Sequence, residues 1–384
     1  MRVVQTVLRQ GTDLSLALEP LRASQPQCVL AFGTVGWLQR LQPFLVSKFP
    51  DVCHLGCTTA GEISNEGLTD DSCVLTAIHF DNAQVQCATT TLTSMEDSFA
   101  AGQRLAQEVP TQGLRAVVVL GQGVNINCSA LIGGMAAVFG PSVLITGGLA
   151  GDAANFQETW VLDHTGVYKD RIACIGLYGA GLSVSHGSVG GWMPFGPARK
   201  VTRSTNNVLF ELDGEPALAV YKRYLGDHAK DLPASGLLFP FAMLGKDQGD
   251  AGLIRTILAV DEAQGSLTLA GDIDPDGYLR LMHASTDALV DGAEVAAQAA
   301  KGALQQPEQS LALLVSCVGR KLVMGGRAEE EIEAVAEVLG KSAVLTGFYS
   351  YGEISPFAGE LSCKLHNQTM TITHITECEL SPDA

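Results

Sequence analysis

Ten cysteines and eight histidines supply most of the reactive side chains in this 384-residue chain. Cys53-His54-x-x-Cys57 has the soft donors that zinc takes, but no further ligand lies close enough in sequence to complete a set. Structural thiols at a buried strand end are the expected reading. The chain has no Cys-x-x-Cys-His, which excludes covalent c-type haem attachment on motif grounds. Cys57, Cys128 and Cys317 lie beside Gly-rich turns, where a nucleophile could work with a His base. None of them is matched with a histidine at motif strength. Asp272-Ile-Asp274-Pro-Asp276-Gly277 opens like a calcium loop, yet the position that needs a bidentate Glu is His283. A polar turn is expected there. Gly340-Lys341-Ser342 ends like a phosphate loop, but Val335 stands where its first glycine should be. Gly121-Gln-Gly123 follows a strand, but Ile126 replaces the third glycine of the dinucleotide fingerprint. No Gly-x-Ser-x-Gly elbow occurs. The chain is therefore not expected to be an enzyme.

Composition narrows the classes further. Lys+Arg 24 against Asp+Glu 41 gives a net charge of −17, so nucleic acid and anionic membranes would be repelled. A hydrophobic content of 46% with only 17% charged residues predicts a folded chain with a sizeable core. No run reaches the ~18 apolar residues of a membrane span, and residues 1–10 lack a signal-peptide core. Cys28, Cys73, Cys174 and Cys317 sit in or beside apolar runs, as reduced thiols of a cytoplasmic protein do.

The elements repeat. Cys28 to Phe32 reads as a strand, Gly36 to Lys48 as a helix and Val52 to Leu55 as a second strand, followed by Gly56-Cys-Thr-Thr-Ala-Gly61-Glu-Ile-Ser64. Leu311 to Val315, Ala328 to Leu339 and Ala343 to Leu345 repeat the order, followed by Gly347-Phe-Tyr-Ser-Tyr-Gly352-Glu-Ile-Ser355. A weaker copy runs from Ala116 through Ser129 to Phe139 and Val143 to Ile145, ending in Gly147-Gly-Leu-Ala-Gly151-Asp152. Internal duplication is the expected origin. Strand–helix–strand crossovers demand parallel pairs, and the strands after each turn add antiparallel ones, so the sheets should be mixed. The expected fold is mixed α/β: two domains of mixed sheets flanked by helices, residues 1–213 and 214–384, dividing near Asp213-Gly-Glu-Pro216. Val3 to Leu8 could add an edge strand to the first sheet. Glu62 and Glu353 occupy equivalent turn positions, and holding the turn is the simplest role for both.

The two Gly-Glu-Ile turns accompany three longer strings: Ser185-His-Gly-Ser-Val-Gly-Gly-Trp-Met-Pro-Phe-Gly-Pro197, Val208-Leu-Phe-Glu-Leu-Asp-Gly-Glu-Pro-Ala-Leu218 and His366-Asn-Gln-Thr-Met-Thr371. Together they resemble the FIST sensory family over roughly residues 26–376, with an N-terminal and a C-terminal FIST half. The His-Gly-Ser-Val-Gly-Gly-Trp string is most similar to the nitric-oxide-sensing, haem-binding branch (NosP-type). The resemblance implies haem b with its iron, nitric oxide as ligand, and control of a separate histidine kinase of a two-component system or of a cyclic-di-GMP enzyme. The wider family implies an alternative, a haem-free sensor of a small polar ligand such as an amino acid. A homodimer is compatible with either.

Non-covalent haem needs an apolar slot, an axial ligand with a free lone pair and cations for its propionates. Trp192, Met193, Pro194 and Phe195 could form the slot with Phe348, Tyr349 and Tyr351. Arg199, Lys200 and Arg203 could meet propionates or another anion. Of the histidines, His186 at the entry to the Gly-Gly-Trp loop is the expected axial ligand, with His366 as the second candidate. The bland readings are a His186 ring bonded to loop carbonyls and a His366-Asn-Gln string that ties down a hairpin.

Overall fold

Strand Cys28–Gly33 is buried along its whole length, and its alternate side chains reach different cores. Cys28, Leu30 and Phe32 enter a cluster that also contains Val118, Leu120, Leu313 and Val315. Val29 and Ala31 face the other way and meet Leu38, Leu41 and Leu45 of helix Val35–Lys48. Strand Leu114–Gly121 does the same: Val118 and Leu120 point inward, while Val117 and Val119 pack on Leu131 and Met135 of helix Cys128–Phe139. In Ser310–Cys317, Leu313 and Val315 point inward, and Ala312 and Leu314 pack on Ile332 and Val335 of helix Glu329–Leu339. Three sheets therefore share one inner core, and each carries its own helices outside. The computed structural model that shows this describes residues 1–302, 309–357 and 362–378. Among them, no helix is long and apolar enough to cross a membrane.

Each of the three sheets has six strands. Sheet I runs Arg2–Leu8, Cys73–His79, Cys28–Gly33, Cys53–Thr58, Val161–Leu162, Val167–Tyr168. Its parallel pair, in register at Cys28 and Cys53, is joined by the crossover helix, and Cys73–His79 returns antiparallel. The edge strand expected near the start of the chain is Arg2–Leu8. Sheet II runs Cys363–His366, Gly352–Pro356, Leu144–Leu149, Leu114–Gly121, Arg171–Tyr178, Gln84–Thr91. Sheet III runs Leu182–Val189, Met370–Glu377, Ser310–Cys317, Ala343–Ser350, Glu62–Ser64, Gly67–Thr69. The fold is thus mixed α/β, with mixed sheets flanked by helices.

The sheets exchange hairpins in a cycle. The hairpin that follows Cys53–Thr58 of sheet I pairs with Ala343–Ser350 of sheet III. The hairpin that follows Leu144–Leu149 of sheet II pairs with Cys53–Thr58 of sheet I. The hairpin that follows Ala343–Ser350 of sheet III pairs with Leu144–Leu149 of sheet II. All three repeats seen in the sequence are structurally equivalent, including the weak middle one.

A fourth sheet is inserted between Leu182–Val189 and helix Thr286–Lys301, and its strands fall between Met193 and His283. Residue 213 lies inside this sheet, in the turn between Val208–Leu212 and Glu215–Pro216. Sheets II and III take strands from both sides of that position. The division between 1–213 and 214–384 is therefore one of sequence, and in space the halves are interleaved by shared strands.

The first glycine of each Gly-rich turn has a common steric cause. Gly56 is in register with Ala31, Gly147 with Val119 and Gly347 with Leu314. A Cβ there would lie 2.3 Å from the Ala31 oxygen, 1.9 Å from that of Val119 and 1.8 Å from that of Leu314. Only glycine fits against the neighbouring strand's carbonyl. Gly347→Ala should therefore lower the unfolding free energy by roughly 2 kcal/mol or more, whereas surface changes stay within about 0.5 kcal/mol. Gly326, whose Cβ would meet nothing within 4 Å, is the control. Urea titration of Gly347→Ala and Gly326→Ala checks this.

Candidate functional site

The turn acids Glu62 and Glu353 hold the sheet junctions. Glu62 Oε1 accepts from Thr59 Oγ1 at 2.5 Å, and Oε2 accepts from the Ser72 N–H at 3.2 Å and its hydroxyl at 2.8 Å. Glu353 repeats this with Ser350 Oγ at 2.7 Å, the Thr369 N–H at 3.2 Å and Thr369 Oγ1 at 3.0 Å. Both carboxyls are buried, which pushes Glu62 up to about 7 and Glu353 up to about 8. Each ties its turn to a strand start, the role that the repeated sequence suggested.

Of the residues expected to hold haem, His186 and His366 meet at Phe357, but the aromatic and basic residues do not join them in one slot. The His186 Nε2–H donates to the Phe357 carbonyl at 3.0 Å, and the His366 Nε2–H donates to that of Ser355 at 2.8 Å. A carbonyl only accepts, so neither Nε2 has a free lone pair for iron. Burial also pushes His366 down to about 4, and its ring stands edge-on to Phe357 at 4.9 Å. The Trp192 Nε1–H donates to the Gln368 carbonyl at 2.8 Å. Pro194 belongs to a two-residue strand paired with Met282 in the fourth sheet, and Phe195 is exposed beside Tyr224 and His283. Arg199 pairs with Asp213 at 3.2 Å and Tyr224 at 2.9 Å, and Arg203 pairs with Glu211 at 2.9 Å. Tyr349 is fully buried and donates to Glu331 at 2.7 Å. Of the expected slot, Tyr351 lines a cavity. Strand pairing sends Met193–Pro194 to the fourth sheet and Tyr349 into the core of sheet III, so these side chains form no single haem slot. Among the described residues, no three His, Cys, Asp or Glu are placed to hold a metal ion.

A different site is built at the end of sheet II. A cavity of about 370 Å³ lies where Leu114–Gly121 and Leu144–Leu149 end and helix Cys128–Phe139 begins. Ends of parallel strands beside a helix N-terminus are the usual place for ligands in α/β sheets. Asn127 caps the helix by accepting from the Ala130 N–H at 3.0 Å. Gly123 must be glycine, because its Cβ would lie 1.8 Å from the Ala150 oxygen and 3.0 Å from the Tyr351 ring. The opposite wall comes from the fourth sheet, through Asn207, Leu258 and Gly271-Asp272. Phe156 closes one side and stacks on Tyr351 at 4.3 Å. Asp152 holds that loop by accepting from the N–H groups of Phe156, Gln157 and Glu158 and from the Tyr351 hydroxyl. Ala153, Ala154 and Phe156 all have positive φ, as does Asn125 across the cavity. Such backbone conformations are costly and concentrate where ligands bind.

Two buried polar groups stand out here, one without a hydrogen-bond partner and one a cation without a carboxylate partner. Asn367 lines the cavity at 2% exposure, and its Oδ1 has no hydrogen-bond partner among the described residues. Arg255 is 4% exposed and is bonded to the carbonyls of Asp272, Ile254 and Leu365 at 3.3, 3.1 and 3.2 Å. No carboxylate lies in ion-pair contact with it among the described residues, and burial pushes its guanidinium down to about 10. Arg255 lines a second cavity of about 470 Å³ with Lys364, and the two cavities share Asp272 and Leu365. The polar turn expected at Asp272–Gly277 is present, with Asp274 accepting from the Asp276 N–H at 3.0 Å, but Asp272 also serves both cavities. Asn367 belongs to the string His366–Thr371, yet nothing local in the sequence marks it as unpartnered. Arg255 could not be found from sequence, because its solitude follows from which strands surround it.

A FIST N domain model matches residues 27–215, and a FIST C domain model matches residues 217–356. The chain belongs to the FIST family. FIST domains are sensory, ligand-binding domains of signalling proteins. Among curated proteins, no sequence matches. Two solved structures of cyanuric acid hydrolase, one from A. caulinodans, align over 98% of this chain and 99% of theirs at 10% identity, with TM-scores of 0.40 and 0.36. At that level the likeness bears on neither activity nor substrate.

The buried turn acids give this FIST protein a testable pH response. Folded Glu353 keeps its proton up to about 8, whereas the unfolded chain releases it near 4.5. Its contribution to stability is therefore full below 4.5 and is lost as pH rises through about 8. Glu353→Gln keeps an acceptor for Thr369 and offers a donor to the Ser350 hydroxyl without the charge. Denaturant midpoints at pH 5 and pH 8.5 should show the variant gaining on the parent chain at the higher pH. An equal difference at both values would assign Glu353 an ordinary ionised state.

Proposed function

We propose that this FIST protein is a cytoplasmic sensor, not an enzyme, whose ligand is a small polar molecule of amino-acid type bound in the 370 Å³ cavity at the start of helix Cys128–Phe139. The observation that carries this reading is Asn367, buried in the cavity wall with an unpartnered Oδ1. A buried amide without a partner costs on the order of 1–3 kcal/mol, which a bound donor recovers. Asp272 offers a carboxylate to an ammonium group, and the helix N-terminus with nearby Arg255 favours a carboxylate. A zwitterion meets both. The thiols beside the turns speak for binding rather than covalent catalysis: burial pushes Cys57, Cys128 and Cys317 well up, away from the thiolate.

Signalling then follows by linkage. The ligand joins sheet II to the fourth sheet and favours whichever arrangement of the two binds it better. A separate histidine kinase or cyclic-di-GMP enzyme would read the difference. The haem b and nitric oxide reading suggested by the sequence makes a different prediction in the same measurement. Calorimetric titration with a panel of amino acids should find at least one ligand, and Asn367→Ala or Asp272→Asn should weaken it about tenfold or more, ~1.4 kcal/mol, with an unchanged thermal midpoint. Titration with haemin gives the contrary outcome. A stoichiometric Soret band that shifts with nitric oxide, with no amino acid bound, would replace this reading with the haem sensor.

A further inference from the structure

Cys53 opens strand Cys53–Thr58 of sheet I, and its side chain is buried in the core shared by the three sheets. Cys87 lies in Gln84–Thr91, the outer strand of sheet II, two residues after Val85, which packs against the same core. Ala88, on the other face, belongs to the outer cluster of sheet II. Alternation therefore turns Cys87 toward sheet I. The strands that carry them touch, and the two thiols face one another there, near enough for each to shift the other's titration. They are free thiols, one buried and one exposed. Cys87 also lines an open cavity of about 430 Å³ with Arg104, Glu108 and His164, so small solutes reach it.

We propose that Cys87 and Cys53 are a reversible redox pair, in which Cys87 reacts with a small peroxide and Cys53 resolves it to a disulfide that joins sheets I and II. The Cys87 thiolate attacks one peroxide oxygen. The O–O bond breaks, a sulfenic acid forms, and the departing hydroxide takes up a proton to become water. The Cys53 sulfur then attacks the sulfenic sulfur. An S–S bond forms, the S–O bond breaks, and the hydroxyl leaves with the Cys53 proton as a second water. The two thiols lose the two electrons that the peroxide gains.

The chemical environment fits this division of roles. Cys87 is the exposed member of the pair, and its interaction with Cys53 holds its thiol below the usual thiol range, with burial opposing and His164 assisting. The same interaction and burial push Cys53 up, so it keeps its proton until the second step. Cys28, in register beside Cys53, is buried and pushed up to about 12, and stays a thiol. The disulfide asks only an edge strand to move, since Gln84–Thr91 is paired on one side alone.

Limited alkylation of the full chain with iodoacetamide, followed by peptide mass spectrometry, tests the first role. Cys87 should be labelled at least ~10-fold faster than Cys378, the other exposed thiol. Hydrogen peroxide should then remove the two thiol hydrogens and yield a linked Cys53–Cys87 peptide, which dithiothreitol reverses. In Cys53→Ser, oxidation should stop at a Cys87 sulfenic acid that dimedone traps. Equal labelling of Cys87 and Cys378, or an oxidised chain without the Cys53–Cys87 link, would overturn the proposal. Both readouts in the unaltered chain stand even if Cys53→Ser folds poorly.

Discussion

Three backbone contacts underlie the architecture. Gly56, Gly147 and Gly347 each lie against a carbonyl of the neighbouring parallel strand, closer than any side chain allows. At Gly147 the positive φ is a second reason for glycine. After each of these strands the next hairpin pairs with the adjacent sheet, which makes the exchange cyclic. The acids at 62 and 353 secure the turn once made, by gathering hydroxyl and N–H donors from the strand that returns. Close packing, chain direction and hydrogen bonding thus act in sequence on a few residues, and the shared apolar core forms because the three sheets are already held facing one another.

Much of this was legible in the sequence because duplication makes local rules visible. The Gly-x4-Gly-Glu-Ile-Ser turns, the apolar strands and the helix faces all obey short-range periodicities, and they identified the mixed α/β class and the paired Glu62 and Glu353. The exchange of hairpins was not legible, because a short strand such as Glu62–Ser64 carries no mark of which partner it will choose. A division at 213 fits the sequence strings, while pairing such as His186 with Thr373 crosses it freely.

The site shows the same limit. Tyr349 and Tyr351 stand two residues apart in an aromatic turn, yet one donates to a buried carboxylate and the other stacks on Phe156 at the cavity. Trp192 and Phe195 looked like walls of the same slot and instead anchor the inserted sheet. Conversely, Asn367 and Arg255 are ordinary residues made unusual only by what surrounds them. A polar group left unpaired by tertiary packing, such as the Asn367 Oδ1, cannot be recognised by type or spacing.

The exchanged hairpins also bear on how the chain is made. A ribosome releases residues 62–69 long before the strand Ala343–Ser350 that will receive them. Sheet I cannot be completed until Val161–Tyr168 emerges, and sheet III waits for Met370–Glu377. Sheets II and III cannot reach their final form until Gly352–Pro356, Cys363–His366 and Met370–Glu377 emerge, and the nascent chain must carry open strand edges until nearly its last residues are added. The short, three-residue strands of the first hairpin present few unpaired backbone groups during that wait. A symmetry that gives the finished molecule one seamless core therefore sets translation a problem of timing.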